Sequence, residues 1–281
     1  MNTTGGRLTR PIPVFQGRLM HSPIFAWFAE HYHWRLSLLA LALIAAVTLV
    51  GKRLFMLVPT FRAAADLNEH TRRKRMEKPV YQANQKMNRK WGLLYQVVIF
   101  GVILPFCLTL DPQPLWRMLL DVVVILLFYD FVYYITHRFL FHHSPFFGGP
   151  LVWCHAVHHQ QHNPCRQDSG YLHPLETAIG LGLYVGTIFL LSRFMGNFHV
   201  ATVVITFVAF TQINLHNHDL WTQDRFPFRY LNYASRMHHN HHARFTGGNF
   251  ATITLLYDWM FGTLDNGKGY KKVEAKAKAS A

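Results

Sequence analysis

The chain has 281 residues, 51% of them hydrophobic, with 28 Lys and Arg against 14 Asp and Glu for a formal charge of +14. Charged residues make up only 15%, against about 25% in an average soluble domain, and the apolar residues fall in blocks of roughly 18–22, enough to cross a hydrocarbon core of about 30 Å. This excludes a disordered chain and an ordinary soluble globule, and three cysteines (Cys107, Cys154, Cys165) without a CxxC exclude a disulfide scaffold.

The first apolar block starts too late for a secretory signal. It predicts a membrane span over residues 36–58. A polar stretch, 59–90, follows and carries Arg62, Arg72, Arg73, Lys74, Arg75, Lys78, Lys86, Arg89 and Lys90. A second span is expected over 91–110. The turn Asp111-Pro112-Gln113-Pro114 cannot continue a helix, so a third span over 115–136 makes a hairpin with the second. After a histidine-dense stretch, a fourth span over 178–193 and a fifth over 198–215 form another hairpin around Met195-Gly196-Asn197. The C-terminus is rich in Lys and Ala.

The fold expected is therefore an all-α integral membrane protein, with four to five transmembrane helices in hairpins and a histidine-rich helical cytoplasmic cap. Its parts are an N-terminal segment (1–90) with one transmembrane helix and a basic cytoplasmic stretch, a membrane catalytic unit (91–265), and a flexible basic tail (266–281). Lys and Arg concentrate on the cytoplasmic side of membrane proteins. Placing 59–90 there brings every histidine cluster to the same side, because each hairpin returns to it. The same rule explains the charge without nucleic acid, and none is expected as a partner.

Of the 19 histidines, 15 lie between His137 and His242. Three clusters stand out: His137 with His142, then His155, His158 and His159, then His238, His241 and His242. The last two share the spacing HxxHH, which on a helix puts three imidazoles on one face. His137 and His142 are five apart and converge only if the helix ends or bulges between them. Neutral imidazole is the commonest nitrogen ligand for metals. Eight of them exceed what one zinc takes, so two metal ions are expected, and imidazole sites suit Fe, Zn, Cu or Ni. Asp168 and Glu176 are the only acids between residues 131 and 215. A carboxylate-bridged bundle site built on Glu-x-x-His cannot be assembled from that stretch. His143 and His239 neighbour these ligands but point elsewhere. His21, His31, His33, His70 and His199 read as ordinary surface histidines, and His162 stays open.

These residues resemble the membrane-bound fatty acid hydroxylase / sterol desaturase superfamily, whose pattern is HxxxxH, HxxHH, a lone histidine, then HxxHH. The lone histidine falls on His216, with His218 as a competitor. Further matches are Asp130 before Tyr133-Tyr134, His173-Pro174-Leu175-Glu176, and Asp258 with Phe261-Gly262-Thr263; Tyr257 stands where the family often has Trp. The likeness covers 95–265. It implies a di-iron centre held by His137, His142, His155, His158, His159, His216, His238, His241 and His242. It also implies O2 as co-substrate and hydroxylation or desaturation of a lipid C–H bond in a sterol, fatty acyl chain or related lipid.

Metal-bound histidines donate their second N–H to a carboxylate or carbonyl, which makes Asp130, Glu176, Asp258 and His173 the supporting residues expected. Asp130 sits inside an apolar span, where an unpaired acid is costly; its expected partner is a ligand histidine or a basic group on a neighbouring helix. No GxGxxG opens a helix and no haem or iron–sulfur motif occurs, so a separate reductase or electron carrier is expected. The alternative is a membrane zinc hydrolase using part of the cluster. A metal transporter would need more acids within its spans than Asp121 and Asp130.

Overall fold

The computed structural model describes residues 23–142 and 149–269. Five helices are long and apolar enough to cross a membrane: Ala26–Phe55, Pro79–Phe106, Leu115–Phe141, Pro174–Met195 and Val200–Asn217. The chain is an all-α, multi-pass membrane protein. Most of the expected basic tail, from residue 270 on, lies outside the described residues, as do His21 and His143.

A short helix α1 (Pro23–His31) leads into α2 (Trp34–Phe55). Helix α3 (Pro59–Met76) and helix α4 (Pro79–Val98) each open on a proline, in the first turn where a missing N–H costs nothing. The residues before them, Val58 and Lys78, are extended with ψ 120°, as a following proline ring requires. The second span was expected at 91–110 but starts at Pro79, and the boundary expected at residue 90 falls inside α4. Gln82, Gln85, Lys86, Asn88, Arg89 and Lys90 disguise its first turns as a loop. At about 1.5 Å per residue the span is longer than a hydrocarbon core of about 30 Å, so these polar turns extend beyond the hydrocarbon.

Past α4 the chain tightens through a π turn (Ile99–Ile103) and a 3-10 turn (Leu104–Phe106) into strand β1 (Leu108–Thr109). Helix α5 (Leu115–Thr136) returns. A short helix α6 (Val152–His155) precedes α7 (Pro174–Met195), strand β2 (Phe198–His199) and α8 (Val200–Asn217). The remainder forms α9 (Phe228–Leu231), α10 (Tyr233–Ala243) and α11 (Leu256–Met260).

One end of the bundle is a clasp between the two hairpin tips. Strand β1 pairs in parallel with β2, Leu108 opposite Phe198. Arg193 donates to the Phe106 carbonyl at 2.6 Å and Arg117 to that of Met195. Ser37 and Tyr32 tie the first span to the π turn through the carbonyls of Phe100 and Gly101. Between the two ends, Phe100, Ile125, Tyr129, Tyr184, Ile188, Phe207 and Phe210 make the core.

At the other end α3 and α4 lie against the polar connections. The Asn68 carboxamide on α3 donates to the Leu220 carbonyl and accepts from the amides of Arg166 and Leu220. Tyr81 donates to Asp168 at 2.7 Å, and Asn84 and Asn88 both donate to the Leu172 carbonyl. The polar stretch expected over 59–90 is thus helical, a wall against these connections. Asn68 and Asn84 are buried where their amides satisfy loop carbonyls, and Asn88 is half-buried.

Candidate metal centre

Two of the three histidine clusters are placed by a local break in helical geometry. After α5 the chain forms a π turn, His137–Phe141, and His142 follows in extended conformation. The wider turn brings residues five apart to one side, the convergence that HxxxxH demands. The first HxxHH is not on one helix. Helix α6 ends at His155 and a 3-10 turn, His158–Gln160, carries the other two. The second HxxHH lies on continuous helix, α10.

Two groups of imidazoles result: His137, His142, His155, His159 and His241 in one, and His158, His218, His238 and His242 in the other, with their ligand atoms within 4.8 Å of one another inside each group. Each HxxHH is shared between them. His155 and His159 enter the first group and His158 the second, while His238 and His242 enter the second and His241 the first. The expectation that each motif aims all three rings one way is corrected: on α10 the helical step separates i+3 from the i, i+4 pair enough for two adjacent centres, and in the first HxxHH the break between α6 and the 3-10 turn has the same result. None of the nine is more than 8% exposed.

His216 is in neither group. Its Nε2 donates to the Leu231 carbonyl at 2.8 Å and its Nδ1 lies 3.3 Å from Asp219. His218 supplies the lone histidine instead. It caps the C-terminus of α8, where the chain leaves helical geometry and the ring turns inward, whereas His216 stays on the outer face of the last turn.

The ring nitrogens show how the groups are built. A carbonyl or carboxylate oxygen only accepts, so an imidazole nitrogen bonded to one carries the proton. His137 Nδ1 donates to Phe250 O at 2.7 Å, His142 Nδ1 to Phe245 O at 2.8 Å and His241 Nδ1 to Gly248 O at 2.8 Å. His155 Nδ1 donates to Glu176 Oε1 at 2.7 Å. In the second group His158 Nδ1 donates to Tyr171 O at 3.2 Å and His218 Nδ1 to Asn214 O at 2.8 Å. The Nε2 atoms of these rings then carry lone pairs. Yet Nε2 of His137 and His155 approach to 3.0 Å, and those of His158 and His218 to 3.1 Å. His159 Nε2 stands 3.1 Å from the Nε2 atoms of both His155 and His241. Two lone pairs at the His137–His155 and His158–His218 separations repel, and a cation between them converts each contact into shared ligation; His159, whose Nδ1 has no oxygen partner, can turn an Nε2 lone pair to the same ion. The donor set thus fits two metal ions.

Burial keeps these rings neutral and ligand-ready. It pushes His158 and His241 from the ordinary 6.5 down to about 4. It also holds His155, His159, His218, His238 and His242 well below that ordinary value, with the neighbouring imidazoles adding to the effect.

One loop orients most of the first group. The carbonyls of Phe245, Gly248 and Phe250 serve three of its five histidines. Asp258 holds that loop by accepting from the amides of Phe250 and Ala251, both at 2.8 Å. Burial, opposed by these bonds and one from Thr263, pushes the Asp258 carboxyl up to about 6. Asp130 accepts from the amides of Thr252, Ile253 and Thr254 and from the Thr254 hydroxyl. Its expected partner, a ligand histidine or a basic group, is replaced by backbone. Of the four supporting residues expected, Glu176 alone touches a clustered histidine. His173 caps α7 by accepting from the Leu175 amide and packs on Trp153.

Two further residues support the site. Asn249 adopts φ 67° and donates to the carbonyls of Met237 and Asp265, fixing the loop between Gly248 and Phe250. Asn214 offers its carbonyl to His218 and its side-chain oxygen to Thr252. The run Gly247-Gly248-Asn249 was the available signal for the first, because Asn tolerates the left-handed region. No pattern in the sequence marks the second.

A cavity of about 1160 Å³ reaches the histidines from the side of α3 and α4. His137, His155, His158, His218 and His238 line its inner end, and its walls on α5, α7 and α8 include Tyr129, Leu181 and Phe210. Tyr129 and Phe210 each lie eight residues before a clustered histidine on their own helix, about 12 Å of rise.

Residues 122–263 match the fatty acid hydroxylase family. The chain is 31% identical over 140 residues to methylsterol monooxygenase 1 of Rattus norvegicus, covering 48% of this chain and 43% of that protein. It is 28% identical over 175 residues to methylsterol monooxygenase 2-2 of Arabidopsis thaliana, 58% of each, and 25% identical over 262 residues to Protein CER1-like 1 of the same plant, 88% of this chain and 39% of that one. The chain spans about half the length of these relatives. No solved structure matches it significantly.

Proposed function

The chain belongs to the fatty acid hydroxylase family, and on that premise we propose that it is a membrane oxidoreductase with a di-iron centre that uses O2 to hydroxylate or desaturate a C–H bond of a lipid. The observation that carries this reading is the set of Nε2-to-Nε2 approaches of 3.0–3.2 Å between buried rings, most of whose Nδ1 protons are already committed to oxygens. His137, His142, His155, His159 and His241 would hold one ion, and His158, His218, His238 and His242 the other. A zinc hydrolase needs one open three-ligand site and leaves half of this arrangement without a role. When bound, the iron supplies the dioxygen activation that an unactivated C–H bond requires.

The remaining work falls to the chain's own groups. The Glu176 carboxylate fixes the His155 tautomer and raises the basicity of its Nε2. The loop carbonyls of residues 245–250 do the same for His137, His142 and His241. Tyr129, Leu181 and Phe210 give the cavity apolar walls, which hold the lipid under the histidines and exclude water from the reacting carbon. Electrons come from a separate reductase or carrier.

The histidine end is the cytoplasmic one in this reading. The basic residues of α3 and the first half of α4 lie there, whereas Arg35, Arg117 and Arg193 are the cations of the described residues at the clasp.

The test is reconstitution. Protein in nanodiscs, with reductase, carrier, O2 and lipids drawn from a deletion strain, is expected to give an oxidised lipid and to contain about two irons per chain. Product without added reductase, or one metal ion per chain in fully active protein, overturns the proposal.

A further inference from the structure

Helix α4 buries Tyr81 and Asn84 and presents two exposed stripes. Val80, Met87, Trp91, Leu94 and Val98 recur at helical spacing and are exposed, Val80 by 72% and Leu94 by 49%. They form an exposed apolar stripe along the helix. On another face Gln82, Lys86, Arg89 and Leu93, at i, i+4, i+7 and i+11, share a second stripe, and all four line the cavity that leads to the histidines, together with Lys90. Lys86, Arg89 and Lys90 are themselves exposed and form the open rim of that cavity, where charged heads stay in water while their stems cover apolar surface.

These charges are also uncompensated. Arg72, another residue of the cavity mouth, is neutralised by Glu69 at 2.7 Å. Among the described residues Lys86, Arg89 and Lys90 have no ion-pair partner. The single acid lining the cavity, Glu176, is engaged with His155 at 2.7 Å. The cavity therefore runs from three free cations to apolar walls beneath the histidines.

We propose that its ligand is an amphipathic lipid with an anionic end, a carboxylate or a phosphate ester, whose charge rests on Lys86, Arg89 and Lys90 while its apolar part lies along Tyr129, Leu181 and Phe210. This rests on the reading of the cavity as the substrate site, and it narrows the lipid class to anionic amphiphiles. The same anion chemistry could come from a bilayer phospholipid, so the bilayer composition is varied in the test.

The full chain is placed in nanodiscs of phosphatidylcholine, without reductase. Binding of a long-chain fatty acid bearing a fluorophore at its tail is compared with that of its methyl ester. The acid is expected to bind about tenfold more tightly or better, from two to three charge-assisted contacts. The variant Lys86→Gln/Arg89→Gln/Lys90→Gln is expected to bind acid and ester alike. Lys74→Gln/Lys78→Gln, which removes charge from the same basic region but not from this cavity, is expected to keep the preference. Equal binding of acid and ester to the wild type overturns the proposal, as does a preference that survives the triple substitution. If phosphatidylglycerol discs abolish acid binding while neutral discs show no acid preference, the rim holds a bilayer headgroup and the proposal fails. The readout needs no turnover. A clear acid preference in a protein that oxidises no lipid leaves this inference standing and removes the oxygenase reading instead.

Discussion

The two imidazole groups share both HxxHH segments but differ in how firmly each ring is aimed. In the five-histidine group, His137, His142, His155 and His241 each spend Nδ1 on a carbonyl or carboxylate at 2.7–2.8 Å. In the four-histidine group, among the described residues, only His158 and His218 have such a partner, at 3.2 and 2.8 Å; His242 Nδ1 has none, as His159 Nδ1 has none in the first group. A ring fixed at Nδ1 loses little freedom when Nε2 binds an ion, whereas a ring fixed only by packing must be ordered by the ion itself. Two centres built from the same residue type should therefore hold metal unequally, the first more tightly.

The largest effect tests whether both groups are ligating at all. His241→Ala takes a ligand from the first group and His158→Ala one from the second. Each is expected to lower activity by at least about 100-fold, more than the loss typical of residues that only support ligands. Metal content should fall toward about one ion per chain in both, measured by elemental analysis of protein that is still membrane-inserted. Full activity in either variant removes that group from the reaction.

Acid should act on both groups together. Burial holds His158 and His241 at about 4 against an ordinary 6.5, and the other five clustered rings outside the spans well below 6.5. A histidine whose folded pKa is depressed is neutral in the fold and takes up its proton on unfolding. The stabilisation is thus complete above 6.5 and lost as pH falls toward 4, at up to about 1.4 kcal/mol per pH unit for each ring. Chelator-treated protein is expected to lose thermal stability steeply across that window, and metal-loaded protein at least as steeply but from a higher starting melting temperature. A flat profile for the metal-free form would mean that the rings are hydrated rather than buried.

A smaller effect sharpens the inequality itself. Exposure to a chelator is expected to release metal in two phases, the four-histidine group emptying first. Glu176→Gln keeps an acceptor for His155 Nδ1 but removes the charge, so it should speed the slow phase and leave the fast one unchanged. Activity should fall by about 10–100-fold. A single release phase in the wild type would make the two groups equivalent and defeat the contrast drawn above.

How much of this could be read from the chain follows from the range of each interaction. The spans, both hairpins and the need for a break between His137 and His142 were legible because hydropathy and helical spacing are local. So was Glu176, which lies one turn inside α7 at the level of the cluster. The partners of Asp130 were not. Its acceptor oxygens meet backbone amides of residues 252–254, and an amide donor is the same at every position in a sequence. The polar face of α4 was hidden for a different reason. Polar residues inside a membrane protein look like a loop until the structure shows a cavity for them to face.

His216 and His218 give the narrowest contrast, since two residues separate a ring aimed into the second group from one aimed away. His218 faces His158 and His238, each at 3.1 Å between Nε2 atoms. Its replacement by Ala should resemble His158→Ala. His216 bonds the Leu231 carbonyl and lies near Asp219, in a setting partly open to solvent, where such contacts contribute about 1 kcal/mol or less. Asp219 keeps its partner Arg166 at 2.8 Å when the ring is gone, so no buried charge is stranded. His216→Ala is therefore expected to keep about two metals per chain and activity within about twofold of wild type, with a small drop in melting temperature. Loss of a metal ion from His216→Ala, with His218→Ala retaining both, would reverse the assignment and show that the last turn of α8 rotates when metal binds.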